Sequence, residues 1–306
     1  MRMPMSSRTH TRRQFFKAGG IGALALAGAA ARASAAPAAE PDAPGGRRRP
    51  LAIGLTTYMV MHYDLDQTIA LAQRVAVRPI CIRHNLLPLH ATPDVIRATL
   101  AKVKEAGLET YGGGVVPMQQ EAQVHQAFEY ARTAGFRLLS ITIQPDLLPL
   151  LERKVKEYDI RACIHNHGPG DKAWPHPLAV HERIKGLDPR IGICHDTGHT
   201  MRAGMDPTEA LLKTADRHMD VHLKDVDAPT AQGESVELGR GIVDLPRFLR
   251  TLVKVGYAGI VGIEYEKQMK DLLPGLAESV GYARGVLGAI SAARADAVLT
   301  GKEPHA

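Results

Sequence analysis

The sequence predicts one (β/α)8 TIM barrel of the α/β class, and three observations carry that expectation. Eight short apolar runs begin near Leu51, Pro79, Leu108, Arg137, Ile160, Ile191, Met219 and Gly259. Most are followed by residues with the apolar spacing of an amphipathic helix, and successive runs start about 23 to 40 residues apart, the size of one strand–helix unit. Several runs end in His, Asp, Lys or Glu, and in such a barrel the strand C-termini build the active site. A doubly wound open sheet would use fewer strands and often a glycine-rich phosphate turn after the first. Here the first run ends Gly54-Leu55-Thr56-Thr57-Tyr58, and Gly112-Gly113-Gly114 is no dinucleotide fingerprint.

Residues 1–50 stand apart from this pattern. Of the 306 residues, 38 are Lys or Arg and 32 Asp or Glu, a net charge of +6. Nine of the basic residues and two of the acidic ones fall in 1–50, leaving 29 against 30 in the remainder. The body is therefore close to neutral, which argues against a nucleic-acid groove. Arg12-Arg13-Gln14-Phe15-Phe16-Lys17 precedes an Ala/Gly-rich apolar run, Ala18 to Ala31, and Ala33-Ser34-Ala35 then offers a small-x-small cleavage site. This order resembles a twin-arginine signal. The apolar run of about 14 residues is shorter than the roughly 20 needed to span a bilayer, so no stable membrane span is expected. The organisation expected is a signal peptide at 1–35, a flexible linker at 36–50, the barrel at 51–295 and a C-terminal tail at 296–306. The resemblance implies the twin-arginine translocation machinery as a partner and a periplasmic or otherwise exported location. That route carries folded proteins, so a metal can be loaded before export. Cys81, Cys163 and Cys194 are odd in number and widely spaced, which fits buried free thiols better than a disulfide framework.

Within the body, helices are expected over Asp64–Val77 and over Pro93–Ala106, stopped by Gly107. Another spans Asp206–Ala215, with Asp206-Pro207 as cap and first turn, and the last spans Leu273–Ala293.

Alternation along the strands decides which residues face the barrel axis. In the fifth run Ile164 faces out, so His165 and His167 face in. In the sixth Ile191 and Ile193 face out, so Cys194 and Asp196 face in, with His195 pointing outward and hydrogen-bonded between strand and helix. In the seventh Val221 and Leu223 face out, leaving His222 and Lys224 inside. In the eighth Val261 and Ile263 face out, leaving Glu264 and Glu266 inside. Four neighbouring strands thus aim His165, Asp196, His222 and Glu264 at one point. Two imidazoles and two carboxylates suit one divalent ion, Mn, Zn, Fe or Co, and burying four such groups with nothing to bind would be costly.

The strand-end runs His165-Asn166-His167-Gly168, Asp196-Thr197-Gly198-His199, His222-Leu223-Lys224-Asp225 and Glu264-Tyr265-Glu266 resemble the xylose-isomerase-like barrel superfamily, and its sugar phosphate isomerase/epimerase members in particular. The resemblance spans the chain from about Leu51. It implies a metal-ligand role for Asp196, His222 and Glu264, a substrate-facing or proton-donating role for His199, and contacts to substrate oxygens from Lys224 and from Arg240 in Leu238-Gly239-Arg240-Gly241. The chain departs from the family at strand five, where many members carry Glu-Asn-His. His165 replaces a glutamate that is both ligand and acid/base. The familiar pair of metal-bound glutamates, one on each face of the sugar carbon, is thereby lost, and Glu266, His167, His199 and Lys224 remain as candidates for the base. His84, with Arg83 and His90, is placed at the mouth of the site, as are Tyr58 and Gln144. Trp174 is expected to wall the pocket, since sugar rings pack on aromatic faces.

These readings converge on carbon-acid chemistry. The metal would polarise a keto sugar or keto-cyclitol, an inward base would remove the adjacent proton, and a stabilised enediolate would result. Returning the proton elsewhere makes an isomerase or epimerase; expelling a neighbouring oxygen makes a dehydratase or lyase, whose reverse is a hydratase. A non-catalytic, metal-dependent sugar-binding module is the alternative of another class. Phosphodiester cleavage, as in the apurinic endonuclease branch of the superfamily, is disfavoured because Gly233-Glu234-Ser235-Val236-Glu237-Leu238-Gly239 offers no histidine. The expected partner is a small-molecule sugar, not nucleic acid, and a homo-oligomer is allowed.

Overall fold

Eight parallel strands close on themselves, each followed by a helix-bearing connection. The computed structural model describes residues 51–267 and 270–300, with side chains through 294. The expected leader (1–35), the linker (36–50) and residues 301–306 of the expected tail lie outside the described residues. In chain order the elements are β1 (Ala52–Thr56), α1 (Leu65–Arg74), β2 (Pro79–Ile82), α2 (Pro93–Glu105), β3 (Glu109–Met118), α3 (Glu121–Ala134), β4 (Leu138–Ile143), α4 (Leu148–Tyr158), β5 (Arg161–His165), α5 (Pro177–Ile184), β6 (Ile191–Asp196), α6 (Thr197–Arg202), α7 (Pro207–Thr214), β7 (His218–Leu223), β8 (Asp225–Val226), β9 (Ser235–Val236), α8 (Leu245–Lys254), β10 (Ile260–Ile263) and α9 (Leu273–Thr300). The barrel runs β1-β10-β7-β6-β5-β4-β3-β2, while β8 and β9 form a separate two-stranded sheet. All eight barrel strands begin within one residue of the positions read from the sequence.

Local chemistry sets the ends of the helices. The Asp64 side chain accepts from Gln67 N as Gln67 reaches back to the Asp64 amide, a reciprocal box that starts α1. Thr92 caps α2, and Asp206 caps α7 with Pro207 in the first turn. α9 runs to Thr300, past the expected end at Ala293 and into the expected tail. The β8–β9 pair was not foreseen, because two-residue strands carry no readable period.

Two apolar layers separate the barrel from its helices. Val221, Leu223, Val261 and Ile263 pack with Phe248, Leu249 and Leu252 of α8. Ile141, Ile164, Ile191 and Ile193 pack with Phe128 of α3, Leu151 of α4 and Val180 of α5. Each fully buried side chain of this kind contributes about 1.5–3 kcal/mol. Because these outward positions are fixed by burial, their strand neighbours must point inward. Cys163 and Cys194 lie buried with Leu138 in a small cluster of their own, and all three cysteines are free and buried.

Candidate metal centre

Strand register brings the polar residues into one ring. Asp196 of β6 pairs with His222 of β7, and His222 sits opposite Gly262 of β10, two residues before Glu264. His165 of β5 pairs with Cys194, two residues before Asp196. One ligand atom from each of His165, Asp196, His222 and Glu264 falls within 4.8 Å of the others, and all four residues are buried.

The pairwise contacts are specific. His222 Nδ1 stands 2.5 Å from Glu264 Oε2, and His165 Nε2 stands 3.5 Å from Asp196 Oδ2. Asp196 uses its carboxylate twice: Oδ1 accepts from His199 N at 2.7 Å and so caps α6, while Oδ2 is turned toward the ring. Its backbone is locked by Asn166, whose Oδ1 accepts from Asp196 N at 3.0 Å and whose Nδ2 donates to Asp196 O at 3.2 Å. Thr56 of β1 donates to Glu264 Oε2 at 3.2 Å. The His165 Nε2, Asp196 Oδ2 and both ring nitrogens of His222 are buried without a well-formed hydrogen bond. Buried polar atoms left so are uncommon, and three of them, His165 Nε2, Asp196 Oδ2 and His222 Nδ1, converge with the Glu264 carboxylate in a two-His, two-carboxylate set that fits a divalent ion with nitrogen and oxygen ligands.

Lys224 is the counter-charge beside this ring. Its Nζ lies 3.2 Å from Asp196 Oδ2, 2.9 Å from Glu264 Oε1 and 2.9 Å from Glu266 Oε2. Its stem packs over Gly198, where an added Cβ would come within 2.6 Å of it, so glycine there leaves room for the lysine. Thr197 Oγ1 donates to Lys224 O and accepts from Lys224 N, clamping the end of β7 to α6.

Electrostatics sorts the candidate acids and bases. Burial pulls the Lys224 ammonium down, but Asp196, Glu264 and Glu266 outweigh it and hold the group above its ordinary range. Burial likewise pulls His222 down, and Glu264 with Asp220 overrides this, pushing it up to about 10. Burial raises Asp196 and Glu264, yet Lys224 and the nearby histidines hold both well below the usual carboxylate range. Burial raises Glu266 and its neighbour Glu264 adds to the rise, against the pull of Lys224. Burial, then the His165 ring, lowers His167 to about 4. Burial, then Lys224, lowers His199 well below the usual histidine value. At neutral pH His167 and His199 are therefore neutral and able to accept a proton, whereas Lys224 is held protonated, which removes it as a base and leaves it to supply positive charge.

His167 Nε2 lies 3.3 Å from His165 Nδ1, with Asp171 Oδ2 3.6 Å from its other nitrogen. His199 Nε2 lies 3.5 Å from Lys224 Nζ. Glu266, with its side chain one-fifth exposed, reaches the ring through Lys224. At the mouth, the Arg83 guanidinium stacks 4.6 Å over the Tyr58 ring; burial lowers its pKa, against the opposing pull of Tyr58 and Glu264. His84 is half-buried beside Arg83, and His90 and Gln144 are exposed.

Three expectations need correction or relocation. Trp174 does not wall a pocket. It is 2% exposed, its indole N–H donates to Ile143 O at 2.6 Å, and it belongs to the core behind β4 and β5. An isolated aromatic in a polar loop gave no sign of that burial. Arg240 is held by a bidentate ion pair with Glu278 on the surface, its side chain 61% exposed. The loop that carries it is instead anchored by Asp225, whose carboxylate accepts from the backbone of Gly239, Gly241 and Val243. His195 does point outward, edge-on to Phe248 and His218, but neither ring nitrogen has the expected hydrogen bond. Asp220, Ser140, Thr56 and the bridging role of Asn166 escaped the sequence reading. For Asp220 a signal existed, since it shares the inward alternation of His222 and Lys224.

Residues 142–285 match the xylose isomerase-like TIM barrel family. A stretch of 100 residues is 30% identical to the rhizopine catabolism protein MocC of Rhizobium meliloti, covering 28% of this chain and 31% of that protein. Another of 109 residues is 32% identical to the inosose dehydratase of Geobacillus kaustophilus, covering 31% and 34%. The chain thus matches about a third of the length of these curated relatives. The crystal structure of the IOLI protein with a binding zinc atom superposes with a TM-score of 0.64 over 78% of this chain and 98% of that one, at 14% identity. The fold is a closed eight-stranded TIM barrel, and its second half matches the xylose isomerase-like family.

Proposed function

We propose that this chain is a divalent-metal-dependent enzyme of the isomerase/epimerase type, acting on a keto sugar or keto-cyclitol by removing a proton next to the carbonyl. The observation that carries this reading is the buried ring of His165, Asp196, His222 and Glu264 set beside one charged lysine and two neutral histidines. The four ring residues would hold the ion, Mn, Zn, Fe or Co. Once bound, such an ion supplies Lewis acidity that polarises a carbonyl and acidifies the neighbouring C–H bond.

This chain's own residues supply the rest. A neutral His167 or His199, or the Glu266 carboxylate, accepts the proton from carbon. The electron pair of the broken C–H bond moves toward the carbonyl oxygen, where the Lys224 ammonium offers compensating charge. Asn166 and Thr56 fix Asp196 and Glu264 so that the ring is assembled before substrate arrives. Return of the proton to the neighbouring carbon gives an isomer, and return to the opposite face gives an epimer.

A second reading, dehydration, is favoured by an asymmetry. The bases are neutral imidazoles beside a fixed ammonium, so the imidazolium formed by taking the carbon proton can protonate a departing hydroxyl while Lys224 offsets the charge on the carbonyl oxygen. The likeness to an inosose dehydratase over part of the chain supports the same reading. Export through the twin-arginine machinery to the periplasm is proposed on Arg12-Arg13 and the Ala33-Ser34-Ala35 site; it suits scavenged, non-phosphorylated substrates.

Metal analysis of the protein lacking residues 1–35, followed by incubation with keto sugars and inososes in D2O under NMR, tests the proposal. About one metal per chain and deuterium beside a carbonyl are expected. Products of unchanged mass indicate isomerase or epimerase, and loss of water indicates the dehydratase. Binding of a keto sugar with no exchange would leave a non-catalytic sugar-binding protein, and no metal after reloading would remove the four-residue ring from the argument.

A further inference from the structure

Beneath the ring lies a polar floor that the proposed chemistry does not use. Asp220 of β7 is 0% exposed and sits two residues before His222 on the same inward face. Its Oδ2 accepts from Ser140 Oγ at 2.7 Å and lies 3.8 Å from Cys194 Sγ and 3.5 Å from His222 Nε2. Its Oδ1 accepts from Val221 N at 2.9 Å. Cys163 completes the floor, 3.3 Å from Ser140 Oγ. Apart from His222, the side chains around Asp220 are the Ser140 hydroxyl, the thiols of Cys194 and Cys81 and the phenols of Tyr111 and Tyr257. Among the described residues, His222 is the basic group within ion-pair range of it.

We infer that Asp220 is a positioning residue that fixes the tautomer and ring orientation of His222, an inference that rests on the metal-centre reading. The two ring nitrogens of His222 face opposite ways. Nδ1 faces Glu264 and the ring, and Nε2 faces the Asp220 floor. For Nδ1 to present a lone pair upward, the single proton of the neutral imidazole must sit on Nε2. A buried N–H there needs an acceptor, and Asp220 is the carboxylate in place to provide it. Ser140 holds Asp220 in turn, so the chain Ser140–Asp220–His222 runs from the barrel interior to the ring. Carboxylates behind ligating histidines act in this way, and losing one typically weakens metal binding about 10–100-fold. The same arrangement explains why a carboxylate is kept among thiols and phenols in a fully buried layer, where an unpaired charge would be costly.

The test compares wild type with Asp220→Asn and Ser140→Ala. Affinity for Zn2+ and Co2+ is measured by chelator competition, the Co2+ visible spectrum is recorded, and unfolding is followed without metal. Asp220→Asn, nearly isosteric, is expected to keep its fold, bind both ions about 10–100-fold more weakly and shift the Co2+ bands; Ser140→Ala is expected to fall between it and wild type. A measurement on wild type needs no variant: 15N-histidine NMR of the Zn2+-loaded protein is expected to show His222 protonated at Nε2. Wild-type affinity and an unchanged Co2+ spectrum in Asp220→Asn, or a His222 protonated at Nδ1, would overturn the role of Asp220 while leaving the centre intact. A wild type that binds neither ion would overturn the centre and this inference together.

Discussion

Replacing Lys224 with methionine keeps the buried stem over Gly198 and removes the ammonium that Asp196, Glu264 and Glu266 share. Contacts of 3.2, 2.9 and 2.9 Å are each worth about 5–6 kcal/mol of Coulomb attraction at an effective dielectric near 20. Most of that gross attraction offsets the desolvation of four buried charges. What remains measurable is the penalty for stranding carboxylates without their partner, about 3–5 kcal/mol for a buried site. Metal-free Lys224→Met is therefore expected to unfold in urea with stability lower by that amount. Adding a divalent ion should narrow the gap, because the ion takes over the compensation, and the variant should bind the ion more tightly than wild type. Turnover should fall by roughly 10²–10³-fold, as for the loss of one group that stabilises developing negative charge. Urea unfolding with and without metal, together with chelator competition, measures each part. Metal-free stability within about 1 kcal/mol of wild type, or weaker metal binding, would refute the view of Lys224 as the counter-charge of the ring.

Trp174→Phe loses the hydrogen bond to Ile143 O and part of a buried ring; stability should drop by about 1–3 kcal/mol with substrate affinity unchanged, and a selective rise in KM at constant stability would return Trp174 to the pocket. Arg240→Ala breaks only the surface pair with Glu278 and should leave kcat/KM within about twofold of wild type; a tenfold loss would show that the guanidinium swings to the substrate. His218 Nε2 meets Thr214 Oγ1 at 2.8 Å while Nδ1 is buried without a partner. Burial, helped by His181 and opposed by Asp216, lowers this histidine to about 3 from 6.5. A depressed histidine favours the folded state fully above the unfolded pKa, and that advantage shrinks as pH falls, by about 1.4 kcal/mol per unit. His218→Gln should therefore lose stability less steeply than wild type between pH 6.5 and 4.5, read from urea midpoints across that range; parallel curves would contradict it.

The sequence alone determined the barrel and the position of its strands, for a physical reason. A strand buried on its outer face must place apolar residues at every second position, so Val221/Leu223 and Val261/Ile263 announce both the element and its facing. The same alternation turned His165, Asp196, His222 and Glu264 inward, which is why this group could be read before any coordinates. Tertiary structure decided what alternation cannot encode, namely which inward groups touch and which polar residues are spent on architecture. Lys224 became the shared partner of three carboxylates only because β6, β7 and β10 are neighbours in register. Asp225 proved to be a loop anchor, Trp174 a core residue and Arg240 one half of a surface pair. In each case the fate of the side chain depends on partners 14 to 38 residues away, a separation at which local periodicity carries no information.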